Sequence, residues 1–95
     1  KKLNFKHISE RYFSAYFRFN VVDKPGVLSN ITHIFSKNNV SIKRLVQDPN
    51  KNKGSSSIII ITHPSKDKSL SKIIKIINRR SYVKKRSKLI RIDEE

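Results

Sequence analysis

The spacing of hydrophobic residues changes along the chain, and each change marks an element. Residues 12–21 alternate between apolar and polar positions, the period of a strand with one buried face. After a turn at residues 23–26, apolar residues recur every three or four positions, which predicts a helix. We expect this helix to end near Asn38 and Asn39, because asparagine tolerates the left-handed conformation common at helix C-termini. Its apolar positions are Val27, Leu28, Ile31, Ile34 and Phe35.

The second half of the chain predicts a further set of elements. Residues 40–47 indicate a second strand with an irregularity near residues 44–46 that a bulge would explain. Residues 55–62 indicate a third strand, whose four consecutive isoleucines favour burial on both faces. A second helix is expected from Ser65, its predicted cap, with an apolar stripe of Leu70, Ile73, Ile74 and Ile77. A basic connection at residues 79–86 and a short strand at residues 88–92 complete the order.

The predicted order, βαββαβ, is that of an α+β, ferredoxin-like fold. It places a four-stranded antiparallel sheet beneath two helices that lie on one face. A chain of 95 residues is one domain. We assign residues 12–92 to the domain, residues 1–11 to a linker or docking arm and residues 93–95 to an acidic tail. Since the chain begins with Lys1 and carries no initiator methionine, we expect it to be part of a longer protein.

The net charge of +15 suggests either a polyanion-binding surface or a composition rich in lysine. Lysine outnumbers arginine 15 to 7, whereas arginine is better suited to bidentate phosphate contacts. The aromatic residues follow core spacing and do not alternate with basic ones as a base-stacking platform requires. Nucleic acid is therefore the less favoured partner. Its candidate contacts are Arg79, Arg80, Lys84, Lys85, Arg86, Lys88 and Arg91.

The sequence offers little catalytic or cofactor chemistry. It contains no cysteine, and His7, His33 and His63 are too dispersed for metal-ligand spacing. With Gly26 and Gly54 as the two glycines, no phosphate-binding glycine motif can be written. No apolar stretch reaches the length of a membrane span. We therefore predict no catalytic, metal or membrane-embedded site in this chain, no cofactor of its own, and a cytoplasmic location.

One turn suggests a ligand site. Gly26 would let a ligand approach the backbone, and the N–H groups of Val27 and Leu28 at the helix start suit a carboxylate. Asp23 lies close enough in sequence to meet an ammonium group, so a free amino acid fits both ends. The residues alone equally allow a structural role in which Asp23 caps the helix and Gly26 relieves the turn.

The turn is also where the chain resembles a known family. The run Asp23-Lys24-Pro25-Gly26-Val27-Leu28, the helix after it and Val40-Ser41-Ile42 resemble the signature of ACT domains. A wider similarity, from residues 16–19 through Gln47 to residues 58–63, is closest to the C-terminal regulatory domain of homoserine dehydrogenases. The resemblance covers about 80 residues, from 12 to 92.

The resemblance implies a regulatory module that pairs side by side with a second copy and binds an amino acid, threonine first, near the interface. Carried over by position, the effector site would comprise Asp23, Pro25, Gly26, Val27, Leu28, Ser41, Ile42 and Gln47. The parent enzyme would interconvert aspartate semialdehyde and homoserine with NAD(P), which its catalytic part would hold. The alternatives are an ACT domain of another enzyme, a purely dimer-forming module, or a basic module that binds RNA or another polyanion.

Overall fold

The computed structural model describes residues 11–50 and 54–92. Their elements follow the order β1 (Tyr12–Val22), α1 (Val27–Lys37), β2 (Ile42–Pro49), β3 (Ser55–Thr62), β4 (Ser65–Lys66), α2 (Asp67–Asn78) and β5 (Val83–Ile92). The linker or arm predicted at residues 1–11 lies, apart from Arg11, outside the described residues, as does the acidic tail at residues 93–95.

All strand pairs are antiparallel, and the four long strands lie side by side in the order β2-β3-β1-β5. The two-residue β4 pairs with the beginning of β1, where Tyr12 faces Lys66 and Phe13 faces Ser65. The predicted ferredoxin-like α+β fold is confirmed, with β4 as one short addition. Strands β2 and β5 form the two edges of the sheet.

The core lies between the helices and one face of the sheet. The alternating residues Phe13, Ala15, Phe17, Phe19 and Val21 of β1 are buried, as the period of two predicts. The buried residues of both helices join the same cluster, so both helices cover the same face. Phe35 of α1 packs edge-on against Phe17, with ring centroids 4.9 Å apart.

The start of α1 differs from the expectation that Asp23 caps it. Gly26 is the N-cap residue and no side chain caps the helix, because Asp23 lies three residues before that position and only the N-cap side chain itself reaches the first free N–H groups. The end of the helix agrees with the prediction. Asn39 adopts a φ of 59°, and the Asn38 side chain donates to the Ile34 carbonyl at 2.8 Å.

Three expectations for the later elements require correction. Ser65 does not cap α2; Lys66 is the N-cap residue, and the Ser65 hydroxyl donates to the His63 carbonyl. Strand β2 begins two residues later than predicted, and its irregularity falls between Ile42 and Arg44. Strand β5 begins at Val83 and includes the second half of the segment predicted as a connection.

The sheet face opposite the helices is apolar at its centre. Ile58 and Ile60 are fully buried against the helices, whereas Ile59 and Ile61 on the open face are only half-buried, so the expected burial of β3 on both faces is incomplete. The exposed large hydrophobic residues of the described chain belong to the same open face. They are Tyr12, Val46, Ile90 and Ile92.

Candidate functional site

A cavity of about 380 Å³ lies at the turn between β1 and α1. Three of the predicted effector residues, Pro25, Gly26 and Val27, contribute to its wall. The remaining wall comes from the turn itself, from α1 and from the segment before β5. Those residues are Lys24, Asn30, Arg80, Ser81 and Tyr82.

Gly26 gives this turn its backbone shape. Its φ is +91°, a region that residues with a Cβ rarely adopt, and the space a Cβ would enter is open to 4 Å. The helix then begins without a side-chain cap. The Val27 N–H reaches the Lys24 carbonyl at 3.4 Å, whereas the N–H groups of Leu28 and Ser29 have no backbone partner within the described chain. These groups form the positive end of the helix dipole.

Tyr82 connects the segment before β5 to the start of α1. Its hydroxyl donates to Asn30 Oδ1 at 2.6 Å, and the Tyr82 carbonyl accepts a hydrogen bond from the Val22 N–H at 2.8 Å. Burial raises the pKa of the Tyr82 hydroxyl above its ordinary value of 10.0, and the nearby charge of Arg80 acts in the opposite direction. The phenol is therefore neutral and able to donate at physiological pH.

The contribution of Arg80 and Tyr82 to this cavity was not predicted from the sequence, in which Arg80 is a candidate polyanion contact and Tyr82 has no assigned role. Both lie more than 50 positions from Gly26, and the local hydrophobic pattern contains no signal for such a long-range contact. A cation at this place supplies what a carboxylate would need besides the helix N-terminus.

Two residues of the predicted turn lie outside the cavity wall. Asp23 is exposed, and its N–H donates to the Gly54 carbonyl at 2.8 Å, which fixes the turn to the beginning of β3. Leu28 is half-buried against the core. Asp23 thus stands near the site as an exposed carboxylate, while Leu28 serves the packing of α1.

The predicted residues of the second strand lie at the opposite end of α1. Ser41 and Ile42 line a separate cavity of about 540 Å³, together with Thr32, Ser36, Asn39 and Val40. The two cavities share no lining residue: the first takes Val27 and Asn30 from the start of α1, and the second takes Thr32 and Ser36 from its later turns. Gln47 lines neither cavity; its amide contacts the Ser56 hydroxyl at 3.3 Å. Within one copy of the chain, therefore, the predicted site is divided in two.

The seven basic residues predicted for a polyanion do not form one surface. Arg79 and residues 84–86 line a common cavity between α2 and β5. Lys88 lies opposite Arg18 in the register of β5 and β1, on the open face of the sheet. Arg91 forms an ion pair with Asp67 and donates to the Ser71 hydroxyl, which fixes the end of β5 to the start of α2.

Comparison with known proteins identifies the family. The model of the ACT domain family matches residues 15–81, which include most of β1, the turn, both helices, β2 and β3. The chain belongs to the ACT domain family. The prediction made from the turn motif is confirmed.

The similar proteins are homoserine dehydrogenases. The chain is 31% identical to the homoserine dehydrogenase of Methylobacillus glycogenes over 88 residues, which are 92% of this chain and 21% of that protein. It is 33% identical to the homoserine dehydrogenase of Bacillus subtilis (strain 168) over 76 residues, which are 79% of this chain and 18% of that protein. The chain spans about a fifth of these curated relatives. The expected similarity to homoserine dehydrogenases is confirmed.

Solved structures agree with the sequence relatives. A homoserine dehydrogenase from Thiobacillus denitrificans superimposes with a TM-score of 0.80 at 27% identity, over 94% of this chain and 19% of that one. The ACT domain from GTP pyrophosphokinase of Chlorobium tepidum gives a TM-score of 0.67 at 20% identity. The superposition covers 83% of this chain and 99% of that one. The second similarity establishes the fold alone.

Two further observations concern residues 11–50 and 54–92. No group of three or more His, Asp or Glu side chains within them lies close enough to hold a metal ion. Neither helix in this part of the chain is long and apolar enough to cross a membrane.

Proposed function

We propose that this ACT domain is the regulatory part of a homoserine dehydrogenase and binds a free amino acid, with threonine as the first candidate. The observation that carries the proposal is the cavity at the turn, where an uncapped helix start, a glycine with positive φ and Arg80 meet. A carboxylate would accept hydrogen bonds from the helix N–H groups and the guanidinium. The exposed carboxylate of Asp23 is the nearest candidate for the ammonium group.

A second copy of the chain would complete this site. Strand β2 is an edge strand, and no other strand of the described residues pairs with its outer side. Pro49, at the end of β2, lies opposite Ser56 of β3, and Ser56 lies opposite Val21 of β1, close to the β1–α1 turn. The end of β2 is therefore at the same end of the sheet as the turn, and the start of β2 is at the other end. Antiparallel pairing of two β2 edges would therefore bring Ser41 and Ile42 of one copy toward the turn of the other.

Regulation would follow from the position of the ligand between two copies. An amino acid that binds the paired arrangement more tightly shifts the equilibrium toward it, and the linked catalytic parts respond. In this proposal the chain itself is not a catalyst, and NAD(P) is held by the catalytic part of the longer protein. A purely dimer-forming role would leave the cavity at the turn unused.

The test is a calorimetric titration of L-threonine into the chain and two variants, Gly26→Asp and Gly26→Ala. We expect saturable binding to the natural sequence and a loss of at least about tenfold in affinity for Gly26→Asp, because the new carboxylate repels the ligand carboxylate. Gly26→Ala is the matched control, since it places a Cβ at the same positive φ without charge, and we expect it to bind more tightly than Gly26→Asp.

Each outcome decides between the functions. Equal affinities for all three proteins would place the amino acid elsewhere. Absence of binding to the natural sequence, with a dimer observed by sedimentation, would replace threonine sensing by the dimer-forming role. Both variants must show the same circular dichroism spectrum as the natural chain for the comparison to apply.

A further inference from the structure

A third cavity, of about 490 Å³, lies between the end of α2 and the beginning of β5. Five cationic residues line it: Lys75, Arg79, Lys84, Lys85 and Arg86. Among the described residues its wall otherwise contains Asn78 and Val83, and no carboxylate. It shares no lining residue with the cavity at the β1–α1 turn.

The shape of β5 brings these cations together. In a regular strand successive side chains point to opposite faces, so neighbouring residues cannot line one cavity. Strand β5 departs from this rule, because its pairing with β1 shifts twice between Lys88 and Val83, each time with one extra residue in β5. Such bulges change the direction of side chains. Consequently residues 83–86 all contribute to the same wall.

Among the described residues, no carboxylate forms an ion pair with the five cations of this cavity. The carboxylates in the described chain are Asp23, Asp48 and Asp67, and the last of these is paired with Arg91 at the other end of β5. Lys75 and Arg79 lie one helical turn apart, a spacing at which like charges repel. The negative end of the α2 dipole attracts these cations. At a surface this attraction offsets the repulsion by less than about 1 kcal/mol per charge. A bound anion would relieve the repulsion much further.

We propose that this cavity binds a small anion that carries two or more phosphate groups. Two arginines provide planar donors for phosphate oxygens, and three lysines add point charges around them. Because no aromatic side chain lines the cavity among the described residues, bases have no surface on which to stack. The recognition is therefore of the phosphates themselves, in a cavity sized for a small molecule.

The experiment is a titration of inorganic tripolyphosphate into the chain at moderate salt. The test variant is the double substitution Lys84→Gln and Arg86→Gln. The matched control is Lys43→Gln with Lys68→Gln, which removes the same charge at exposed positions outside the cavity. We expect one saturable site, a loss of about tenfold or more in the test variant, and a loss of less than about twofold in the control.

Two parallel titrations identify the source of binding. Orthophosphate should bind much more weakly than tripolyphosphate, because it engages fewer of the cations. If the control pair weakens binding as much as the test pair, the proposal is overturned and the attraction belongs to the net charge of the chain. If a 20-nucleotide RNA binds with a steep salt dependence while tripolyphosphate does not saturate, the small-molecule site is likewise overturned.

Discussion

At the scale of single residues, Tyr82 determines how the last strand meets the first helix. Its hydroxyl reaches Asn30 across 52 positions of sequence, and its backbone carbonyl holds the end of β1. The same residue forms part of the wall of the effector cavity, beside Gly26 and Arg80. One residue, through its backbone carbonyl and its phenol, therefore links the stability of the sheet edge to the shape of the candidate site.

Replacing Tyr82 with phenylalanine should lower the free energy of unfolding by about 1 kcal/mol near neutral pH, the usual contribution of such a hydrogen bond. Because burial raises the pKa of this phenol, the folded protein holds its proton more tightly than the unfolded chain does. That stabilisation is complete below pH 10 and is lost as the pH rises through the raised pKa. The difference between the two proteins in urea unfolding should therefore shrink above pH 10. A difference independent of pH would contradict this.

The residue scale also shows how far sequence reasoning reaches. Gly26 could be predicted as the special residue of the turn, and its positive φ agrees. The predicted caps Asp23 and Ser65 were wrong because each lies before the true N-cap, and a shift of one to three residues removes a side chain from hydrogen-bonding range. Boundaries of this kind depend on tertiary contacts that the local pattern does not contain.

At the scale of elements, β3 illustrates what a run of identical residues conceals. Ile58 and Ile60 are fully buried beneath the helices, whereas Ile59 and Ile61 lie half-buried on the open face. Four consecutive isoleucines carry no alternation, so the sequence could not assign these faces. The pairing with β1 decides them, since Phe17 aligns with Ile60 and Arg18 with Ile59.

Two substitutions in β3 measure this difference. Ile60→Ala should lower the free energy of unfolding by about 3 kcal/mol, since it leaves a cavity among buried side chains. Ile59→Ala should lower it by about 1 kcal/mol, because the side chain is already partly in contact with water. Urea unfolding of both variants provides the comparison. Equal losses would mean that the open face is as tightly packed as the core.

Strand β5 marks the limit of prediction for elements. The sequence indicated a strand at residues 88–92 but not at residues 83–87, where three consecutive cations hide the period of two. The two bulges opposite β1 absorb this irregularity and keep the strand paired. An edge strand can contain such a segment because its outer side is solvated.

At the scale of the whole molecule, repulsion among like charges opposes folding. The chain carries a net charge of +15, and the Arg91–Asp67 pair is the salt bridge found in the described residues. Added salt screens charges that are more than about 8–10 Å apart. Screening should therefore remove more repulsion than attraction.

We expect the midpoint of thermal unfolding to rise by several degrees, roughly 1 kcal/mol of stability, when sodium chloride is raised from low to moderate concentration. Differential scanning calorimetry at low protein concentration measures this. Sodium sulfate, which also strengthens hydrophobic burial, should raise the midpoint further. A midpoint that falls in sodium chloride would show that attractive pairs dominate the charge balance.

The open face of the sheet gives this screening a second effect. Tyr12, Ile90 and Ile92 are exposed there, and Arg18 and Lys88 stand among them on the same surface. Repulsion between these cations on two chains opposes association of the apolar faces, while each face stays accessible to solvent. Salt that makes each folded chain more resistant to heat thus also weakens this barrier, so thermal stability and colloidal solubility should change in opposite directions.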